Sequence, residues 1–309
     1  MARCFVTREL PGPALDRLRA RHQVDVWPER LPPPDDELRR RTAPAEGLLS
    51  LLTDRIDATL IEGSPRLRAI ANYAVGYDNI DIGAATARGI AVGNTPDVLT
   101  DATADLTFAL LLAAARKLPE AAASVTAGDW LTWDPARHLG YDVHGATLGI
   151  IGRGRIGQAV GRRAAGFDMT VLYTGRDGGT PLDELLARSD YISIHCPLTP
   201  ATHHLIDAAA LRRMRPSAIL INTARGPIVD QAALLEALRE GRIAGAALDV
   251  TDPEPPPAGD PLLSAPNLIV APHIGSATHT AREQMATLAV DNLLAALDGE
   301  PMPHPVVAD

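Results

Sequence analysis

The chain has 309 residues, which is enough for two domains at roughly 100–200 residues each. Its composition of 46% hydrophobic and 22% charged residues is ordinary for a folded globular protein, so a disordered, collagen-like or coiled-coil chain is excluded as a global description. The formal net charge of −9 leaves no basic field that could hold a polyanion, which argues against a nucleic-acid partner.

Short apolar runs alternate with stretches of helical period over the first hundred residues. The pattern predicts strands at 3–7 and 23–27 with a helix at 13–21 between them, followed by strand or helix–strand segments at 45–52, 67–73 and 90–92. Such alternation is typical of a parallel sheet covered by helices.

A long apolar helix is predicted at 102–117, ended by Pro119, and the chain is then polar and irregular over 127–143. A second alternating series begins at Thr147. Its predicted strands are 148–151, 170–173, 191–195, 218–222, 246–250 and 268–271, and its helices are 156–165, 182–188, 208–214, 231–240 and 281–297. Six strands separated by helices are the expected content of one dinucleotide-binding domain.

The sequence GRGRIG at 152–157 directly follows a predicted strand and opens a predicted helix. Gly152 would allow the tight turn, Gly154 would let the backbone approach a pyrophosphate, and Gly157 would let the helix pack on the strand. The free N–H groups of the helix N-terminus would bind the phosphates. This context predicts a dinucleotide cofactor.

The end of the next strand indicates which dinucleotide is bound. An acid that holds the ribose hydroxyls of NAD is expected there, but the positions are Thr174 and Gly175, followed by Arg176. Without a carboxylate, a 2′-phosphate is not repelled, and a guanidinium can bind it. NADP(H) is therefore favoured and NAD(H) remains possible. The alternative is that Arg176 is an ordinary surface residue and Asp177 binds the ribose.

Polar residues follow three later strands, at 222–226, 249–255 and 272–276. In a doubly wound sheet, ligands bind outside the carboxyl ends of the strands. Arg225 would hold a substrate carboxylate and polarise a ketone, His273 would donate a proton, and Glu254 would orient the imidazole and favour its protonated form. The alternative is that Glu254 and His273 are only a satisfied buried pair.

Much of the chain carries a set of motifs in a fixed order: YAVGYDNID (73–81), GNTPDVLTDATAD (93–105), LGIIGRGRIGQ (148–158), INTARGPIVD (221–230), ALDVTDPEP (247–255) and APHIGSAT (271–278). In order and spacing this set resembles the D-isomer-specific 2-hydroxyacid dehydrogenases. Within that family, LYTGR (172–176), PHIGSATH (272–279) and DNLLAALDGEPMP (291–303) are most similar to glyoxylate/hydroxypyruvate reductases, which commonly use NADPH.

The resemblance implies a role for each matching residue. Arg225, Glu254 and His273 match the catalytic set, and the backbone amides of Val75 and Gly76 match the loop that binds the substrate carboxylate together with Arg225 and His273. The implied cofactor contacts are Thr103, Gly152, Gly154, Arg155, Ile156, Gly157, Thr174, Gly175, Arg176, Cys196, Pro197, Thr202, Thr223, Ala224, His273, Gly275, and Asp249, which would hold the nicotinamide carboxamide. From the residues alone, Asp249 could instead cap a helix or form a salt bridge, and Cys196 is expected as a pocket wall rather than a nucleophile.

The expected architecture is α/β, with two Rossmann-like doubly wound parallel-sheet domains. A cofactor domain at 100–286 would be inserted into a flavodoxin-like substrate domain at 1–99 and 287–309. The favoured reaction is NADPH-dependent reduction of glyoxylate to glycolate and of hydroxypyruvate to D-glycerate. The alternatives are an NAD-dependent dehydrogenase of another D-2-hydroxy acid or phosphite, and a cofactor-sensing, corepressor-like binding protein.

The sequence also predicts partners and compartment. Helix 102–117 is apolar on most faces, and Trp130, Trp133 and Tyr141 follow it, so a homodimer built around this helix and the segment after it is expected. The alternative is that the helix is buried within one subunit. Two cysteines, no long apolar run, no signal-peptide core and no metal-ligand spacing predict a cytoplasmic protein with no membrane partner and no metal site.

Overall fold

The computed structural model describes residues 1–176 and 178–306, and the chain divides into two compact units. Unit 1 comprises Met1–Leu99 and Ala277–Asp309, and unit 2 comprises Thr100–Ser276. Unit 2 is therefore an insertion in unit 1. The return to unit 1 lies at Ser276–Ala277 rather than after residue 286, because the whole last helix packs on strands of unit 1.

Strands and helices alternate in both units. The strands are β1 (Arg3–Val6), β2 (Gln23–Val26), β3 (Gly47–Ser50), β4 (Ala69–Asn72), β5 (Ala91–Gly93), β6 (Thr147–Ile151), β7 (Thr170–Thr174), β8 (Tyr191–Ile194), β9 (Ile219–Asn222), β10 (Gly245–Leu248) and β11 (Leu268–Val270). The helices are α1 (Ala14–Arg19), α2 (Asp35–Thr42), α3 (Ala58–Glu62), α4 (Ile82–Ala87), α5 (Thr100–Ala115), α6 (Leu118–Thr126), α7 (Arg155–Ala164), α8 (Leu182–Arg188), α9 (Ala208–Arg213), α10 (Gln231–Arg239) and α11 (His279–Leu297).

The sheet of unit 1 has the order β2-β1-β3-β4-β5, and all its strands are parallel. This is the flavodoxin-like order, which reverses between β1 and β3. Helix α11 packs against β3, β4 and β5. Gly47 in β3 permits the close approach, since a Cβ there would lie 3.0 Å from Cδ1 of Leu293.

The sheet of unit 2 has the order β11-β10-β9-β8-β6-β7 and is also parallel. Its strand order reverses between β6 and β8, where a doubly wound sheet opens its ligand crevice. Strands β8, β9 and β10 are buried throughout, which explains why they appear in the sequence as mainly apolar runs. Two parallel sheets with alternating helices confirm the predicted fold class.

Helix α5 is buried in its own unit, where it packs against α7, β9 and β10. Leu110 is 6% exposed and Leu111 is fully buried. The apolar character that suggested an interface is therefore accounted for by the core of unit 2. Among the residues that the structure describes, neither α5 nor another helix is long and apolar enough to cross a membrane.

Pro119 lies in the first turn of a new helix, α6, rather than only ending the preceding one. The chain breaks between the two helices at Lys117, which is left-handed with φ 49°. Proline suits a first turn because its missing N–H would have no helical partner there. Helix α2 was also not predicted, because its sequence DDELRRRT is almost wholly polar.

Candidate active site

The glycine loop after β6 has the geometry of a pyrophosphate site. Gly152 has φ 101°, and a Cβ on it would lie 2.6 Å from the backbone of Cys196, so the turn requires glycine. A Cβ on Gly157 would lie 2.0 Å from the carbonyl oxygen of Gly152, so helix and loop could not pack as closely with a side chain there. A Cβ on Gly154 would meet nothing within 4 Å, so this side of the loop is open. These are the three roles of glycine in a dinucleotide fingerprint.

Helix α7 begins directly after Gly154, and its first turn contains Arg155, Ile156 and no acidic residue. Within the described chain, no side chain caps this N-terminus. Its free N–H groups and positive dipole end suit a phosphate. The loop and helix therefore fit a dinucleotide.

The end of β7 lies beside the glycine loop, because the N–H of Gly152 donates to the carbonyl of Thr174 at 2.8 Å. Positions 174–176 carry no acid, and Arg176 is exposed at the end of this strand. Asp177, the alternative ribose contact, lies outside the described residues.

Arg153 is a second arginine at this place that the sequence analysis did not assign. Its guanidinium carbon lies 5.2 Å from the centroid of the Tyr173 ring on β7. A Cβ on Gly175 would lie 3.7 Å from the backbone nitrogen of Arg153, so the loop and the strand end are in contact range. The sequence G-R-G places an arginine within the glycine loop, but only the structure shows that its side chain turns towards β7.

The segment after β8 forms a polar turn that is half-buried at Cys196 and exposed at Pro197 and Thr199. The hydroxyl of Thr202 donates to the carbonyl of Pro197 at 2.7 Å and accepts the N–H of Thr199 at 2.8 Å. Burial raises the pKa of the Cys196 thiol to about 11, so it stays protonated at neutral pH and suits a pocket wall rather than a nucleophile. Burial also lowers the pKa of His195 to about 3, so that imidazole is neutral.

The segment after β9 places the predicted arginine. Asn222, fully buried, accepts the N–H of Ala224 at 3.0 Å and donates to the carbonyl of Arg225 at 2.8 Å. The hydroxyl of Thr223 lies 3.0 Å from that of Thr107 on α5. The backbone around Arg225 is thus held by Asn222, to which the sequence analysis gave no role.

Asp249 holds the turn that carries His273. The Asp249 carboxylate accepts the N–H groups of Ile274 and Gly275, both at 2.7 Å, and the Asp249 carbonyl accepts the N–H of His273 at 2.9 Å. A Cβ on Gly275 would lie 3.2 Å from Asp249 Oδ2 and 3.4 Å from Thr103 Oγ1, so these groups are clustered. Burial raises the pKa of Asp249, and the two N–H bonds partly offset that rise.

His273 itself is left-handed, with φ 54°. A residue with a side chain adopts this conformation at a cost, and such residues concentrate at functional sites. The three hydrogen bonds that Asp249 accepts from the N–H groups of residues 273–275 hold the backbone of His273 in this conformation.

His273 and Glu254 form a close pair, with Nδ1 2.5 Å from Glu254 Oε1. Glu254 Oε2 also accepts the N–H of Thr251 at 3.3 Å, and the Thr251 hydroxyl donates to the carbonyl of Pro253 at 2.9 Å. With Nδ1 engaged, Nε2 is the nitrogen left for a ligand, and it makes no hydrogen bond within residues 1–176 and 178–306. Gln231 accepts the N–H of Asp252 at 3.0 Å and so anchors this loop to α10.

Val75 and Gly76 lie in unit 1, in the loop 74–77 that follows β4. The carbonyl groups of residues 74, 75 and 76 each accept a hydrogen bond. The donors are, in that order, the N–H of Thr95 at 2.9 Å, Nδ2 of Asn94 at 2.8 Å and Nδ2 of Asn72 at 2.9 Å.

These bonds determine where the N–H groups of the loop point. Because a trans peptide is planar, each held carbonyl directs the next N–H to the opposite side. The N–H groups of Val75, Gly76 and Tyr77 therefore point away from their anchors, and they make no hydrogen bond in the described part of the chain. Three such donors in succession suit an anion.

Within the described residues, no three His, Cys, Asp or Glu side chains are grouped so that they could hold a metal ion.

Comparison with known proteins identifies the family. The family model described as D-isomer specific 2-hydroxyacid dehydrogenase, NAD binding domain, matches residues 108–275. The glyoxylate reductase of Korarchaeum cryptofilum (strain OPF8) is 50% identical over 314 residues, which cover 98% of this chain and 95% of the relative. That of Thermococcus litoralis is 48% identical over 320 residues, which cover 99% and 96%. The chain belongs to the D-isomer specific 2-hydroxyacid dehydrogenase family.

Solved structures agree with this assignment over the whole chain. The TT0316 protein of Thermus thermophilus has a TM-score of 0.93 and 52% identity, with 99% of this chain and 100% of that chain covered. An NADPH-dependent glyoxylate/hydroxypyruvate reductase of Sinorhizobium meliloti, in complex with NADP and malonate, has a TM-score of 0.85 and 33% identity, with 99% and 97% covered. The chain is thus a two-domain oxidoreductase with a nicotinamide dinucleotide-binding domain.

Proposed function

We propose that this protein reduces glyoxylate and hydroxypyruvate to glycolate and D-glycerate with NADPH. The observation that carries the proposal is the group Arg225, Glu254 and His273, which follows the adjacent strands β9, β10 and β11 and contains the 2.5 Å imidazole–carboxylate pair. The glyoxylate reductases that are about half identical to this chain support the choice of substrate.

A bound nicotinamide cofactor supplies the hydride for such a reduction, and the remaining work falls to the chain. The N-terminus of α7 holds the pyrophosphate, and Arg176 with Arg153 binds the 2′-phosphate at the end of β7. Asp249 binds the carboxamide, since its carboxylate retains lone pairs beyond the two N–H groups it accepts.

His273 is the proton donor in this proposal. The imidazolium gives the proton on Nε2 to the carbonyl oxygen of the keto acid as the carbonyl carbon is reduced, and it becomes a neutral imidazole. Glu254 accepts from Nδ1 throughout, which fixes the ring and stabilises the imidazolium. Arg225 holds the substrate carboxylate and polarises its ketone, and the N–H groups of Val75 and Gly76 bind the carboxylate.

Steady-state rates on a panel of 2-keto acids, each with NADPH and with NADH, test this proposal. We expect the highest kcat/KM with glyoxylate or hydroxypyruvate and NADPH. A preference of tenfold or more for NADH would contradict the cofactor assignment. Fast oxidation of a D-2-hydroxy acid or phosphite with NAD, without glyoxylate reduction, would contradict the reaction.

We further propose that the protein is a homodimer through the irregular segment 127–143. Trp130, Leu131 and Trp133 in this segment are 67%, 89% and 79% exposed, and α6 before it buries no residue in the chain. An apolar group of this kind on a monomer marks an interaction site, and tryptophan is enriched in interface cores.

Light scattering at micromolar concentration tests the dimer against the chain mass of 32.7 kDa. Leu131→Glu should dissociate the dimer, whereas Leu263→Glu, which changes a leucine 48% exposed elsewhere in unit 2, should not. Leu110 and Leu111 are unsuitable for this test because both are buried in the chain. A wild-type mass of one chain would contradict the proposal. A cytoplasmic location is proposed on the two unpaired cysteines.

A further inference from the structure

A cavity of about 570 Å³ lies at the carboxyl edge of the sheet of unit 1. Its walls include Arg8 after β1, Trp27 after β2, Leu51 after β3 and Tyr73 after β4. The strand order reverses between β1 and β3, so the cavity lies at the topological switch point of this sheet, where doubly wound sheets bind their ligands.

The charge of this cavity is predominantly positive. Arg8, Arg30 and Arg282 line it together with two acids, Glu9 and Glu29. Both carboxylate oxygens of Glu9 accept from Nη2 of Arg19, at 3.1 and 2.9 Å, so that acid is already compensated. Three guanidinium groups then face one uncompensated carboxylate.

Two of these arginines, Arg8 and Arg282, are only partly satisfied by hydrogen bonds within the chain. Nε of Arg282 is buried and has no hydrogen-bond partner in the described part of the chain. Burial lowers the pKa of Arg8, and its side chain donates to the carbonyl of Thr7 at 2.8 Å rather than to a carboxylate. In the described part of the chain neither guanidinium is hydrogen-bonded to a carboxylate, so the N–H groups of Arg8 and Arg282 that line the cavity can donate to an anion there.

The cavity adjoins the loop 74–77. Tyr73 lines the cavity, its hydroxyl donates to the carbonyl of Arg282 at 2.8 Å, and the next residues carry the three outward N–H groups. From Tyr73 to Val75 the chain spans at most about 7 Å. One small molecule with two anionic groups can therefore contact both places.

We propose that this cavity binds the terminal anionic group, a carboxylate or phosphate, of 2-keto acids longer than glyoxylate, with Arg282 as its main contact. The proposal rests on the proposed function for the keto-acid end of the ligand. It adds a second substrate class, the 2-keto dicarboxylates and their phosphorylated counterparts.

Matched substrates test the proposal directly. 2-Oxoglutarate and 2-oxopentanoate have the same chain length and differ in the terminal charge. We expect the wild type to have at least a tenfold higher kcat/KM for 2-oxoglutarate, and Arg282→Met to remove that preference through KM while it changes kcat/KM for glyoxylate less than twofold. Arg66→Met removes an exposed arginine of unit 1 outside the cavity and should change neither. Equal rates on the two acids in the wild type, or an equal loss on every substrate in Arg282→Met, would overturn the proposal.

Binding of succinate and of inorganic phosphate, measured by calorimetry, needs no turnover and separates the two proposals. We expect succinate to bind the wild type and Arg66→Met alike, and Arg282→Met at least tenfold more weakly. If succinate binds in this way but no keto acid is reduced, the cavity stands and the proposed function fails. If phosphate binds through Arg282 but does not compete with 2-oxoglutarate, the anion is a free effector and the substrate assignment is overturned. If glyoxylate is reduced and neither anion binds, the cavity proposal fails alone.

Discussion

The two units share a topology and differ in the loop after their first strand. Both sheets are parallel, and both place the second strand on one side of the first and the later strands on the other. In unit 2 the first strand leads through Gly152 and Gly154 into α7, which has ten residues. In unit 1 the loop is TRELPGP, and α1 after it has six residues.

Because the two units share a topology, the loop and helix after the first strand determine which ligand each unit suits. Helix α7 has no acid in its first turn, whereas α1 carries Asp16 there and begins after Pro13. A carboxylate at a helix N-terminus opposes a phosphate and already uses the dipole. The switch point of unit 1 therefore relies on arginine side chains rather than on a helix end, and that suits a smaller anion than a dinucleotide.

The largest effect is expected from removing His273, the proposed proton donor of unit 2. We expect His273→Ala to lower kcat by about 10²–10⁴, which is the usual worth of general acid catalysis. Cofactor affinity, measured by fluorescence titration, should change little, because the glycine loop is unaltered. His279→Ala, at the exposed start of α11, is the matched control. Turnover near the wild-type rate would remove His273 from the mechanism.

Gly175→Asp tests the cofactor assignment, because it places at the end of β7 the acid that this strand lacks. The new Cβ meets only an ordinary contact at 3.7 Å, so the backbone can accept the residue. We expect the ratio of kcat/KM with NADPH to that with NADH to fall by about 10–100-fold and to reverse, because a carboxylate repels the 2′-phosphate and binds ribose hydroxyls. Gly175→Asn has the same shape without the charge and should change the ratio much less. An unchanged ratio in Gly175→Asp would place cofactor selection elsewhere.

Glu254→Gln should slow reduction more than it weakens the fold. A neutral amide no longer stabilises the imidazolium of His273, so kcat for reduction should fall while the midpoint of urea unfolding changes little. Glu254→Asp restores the charge and should recover part of kcat. An equal loss of kcat in both variants would indicate that the charge of Glu254 is not what supports the reaction.

The main features of unit 2 could be predicted from the sequence, since buried parallel strands are continuous apolar runs and the glycine loop has a fixed spacing. Strands β8 and β9 lie within one residue of their predicted bounds at each end. The short helices α3 and α4 were not predicted, because five and six residues give too little periodicity.

The directions of the side chains at the candidate site could not be predicted from any sequence pattern. Asn72 and Asn94 are 22 residues apart, and only the pairing of β4 with β5 brings both to the loop 74–77. Arg153 could face either side of its loop until the structure showed it over Tyr173. The apolar helix α5 could be buried by its own unit or by a second subunit, and the sequence pattern is the same in both cases.

Each unit also buries an aspartate near the carboxyl edge of its sheet, Asp54 in unit 1 and Asp249 in unit 2. The smallest effect is expected from a substitution of Asp54, which makes fewer hydrogen bonds through its second oxygen. Asp249 accepts two N–H groups, one on each oxygen. Oδ2 of Asp54 accepts the N–H of Leu51 at 2.7 Å and the hydroxyl of Thr7, while its buried Oδ1 has no partner in the described residues. An asparagine at 54 could keep both bonds of Oδ2 and place its amide group where Oδ1 lies unpaired, so Asp54→Asn should change stability by less than about 1 kcal/mol at neutral pH.

The sign of this change should depend on pH. Burial raises the pKa of Asp54 above its ordinary value of 3.8, so the folded state binds the proton more tightly than the unfolded state. The stability that this carboxyl contributes is therefore fully present below the ordinary pKa and is lost as pH rises through the raised one. Relative to Asp54→Asn, the wild type should be more stable at acid pH and lose that advantage towards neutral pH in urea unfolding. Asp36→Asn, on the exposed side of α2, is the control for general charge effects. A stability difference that stays constant from acid to neutral pH would show that folding does not raise the pKa of Asp54 and would contradict this prediction.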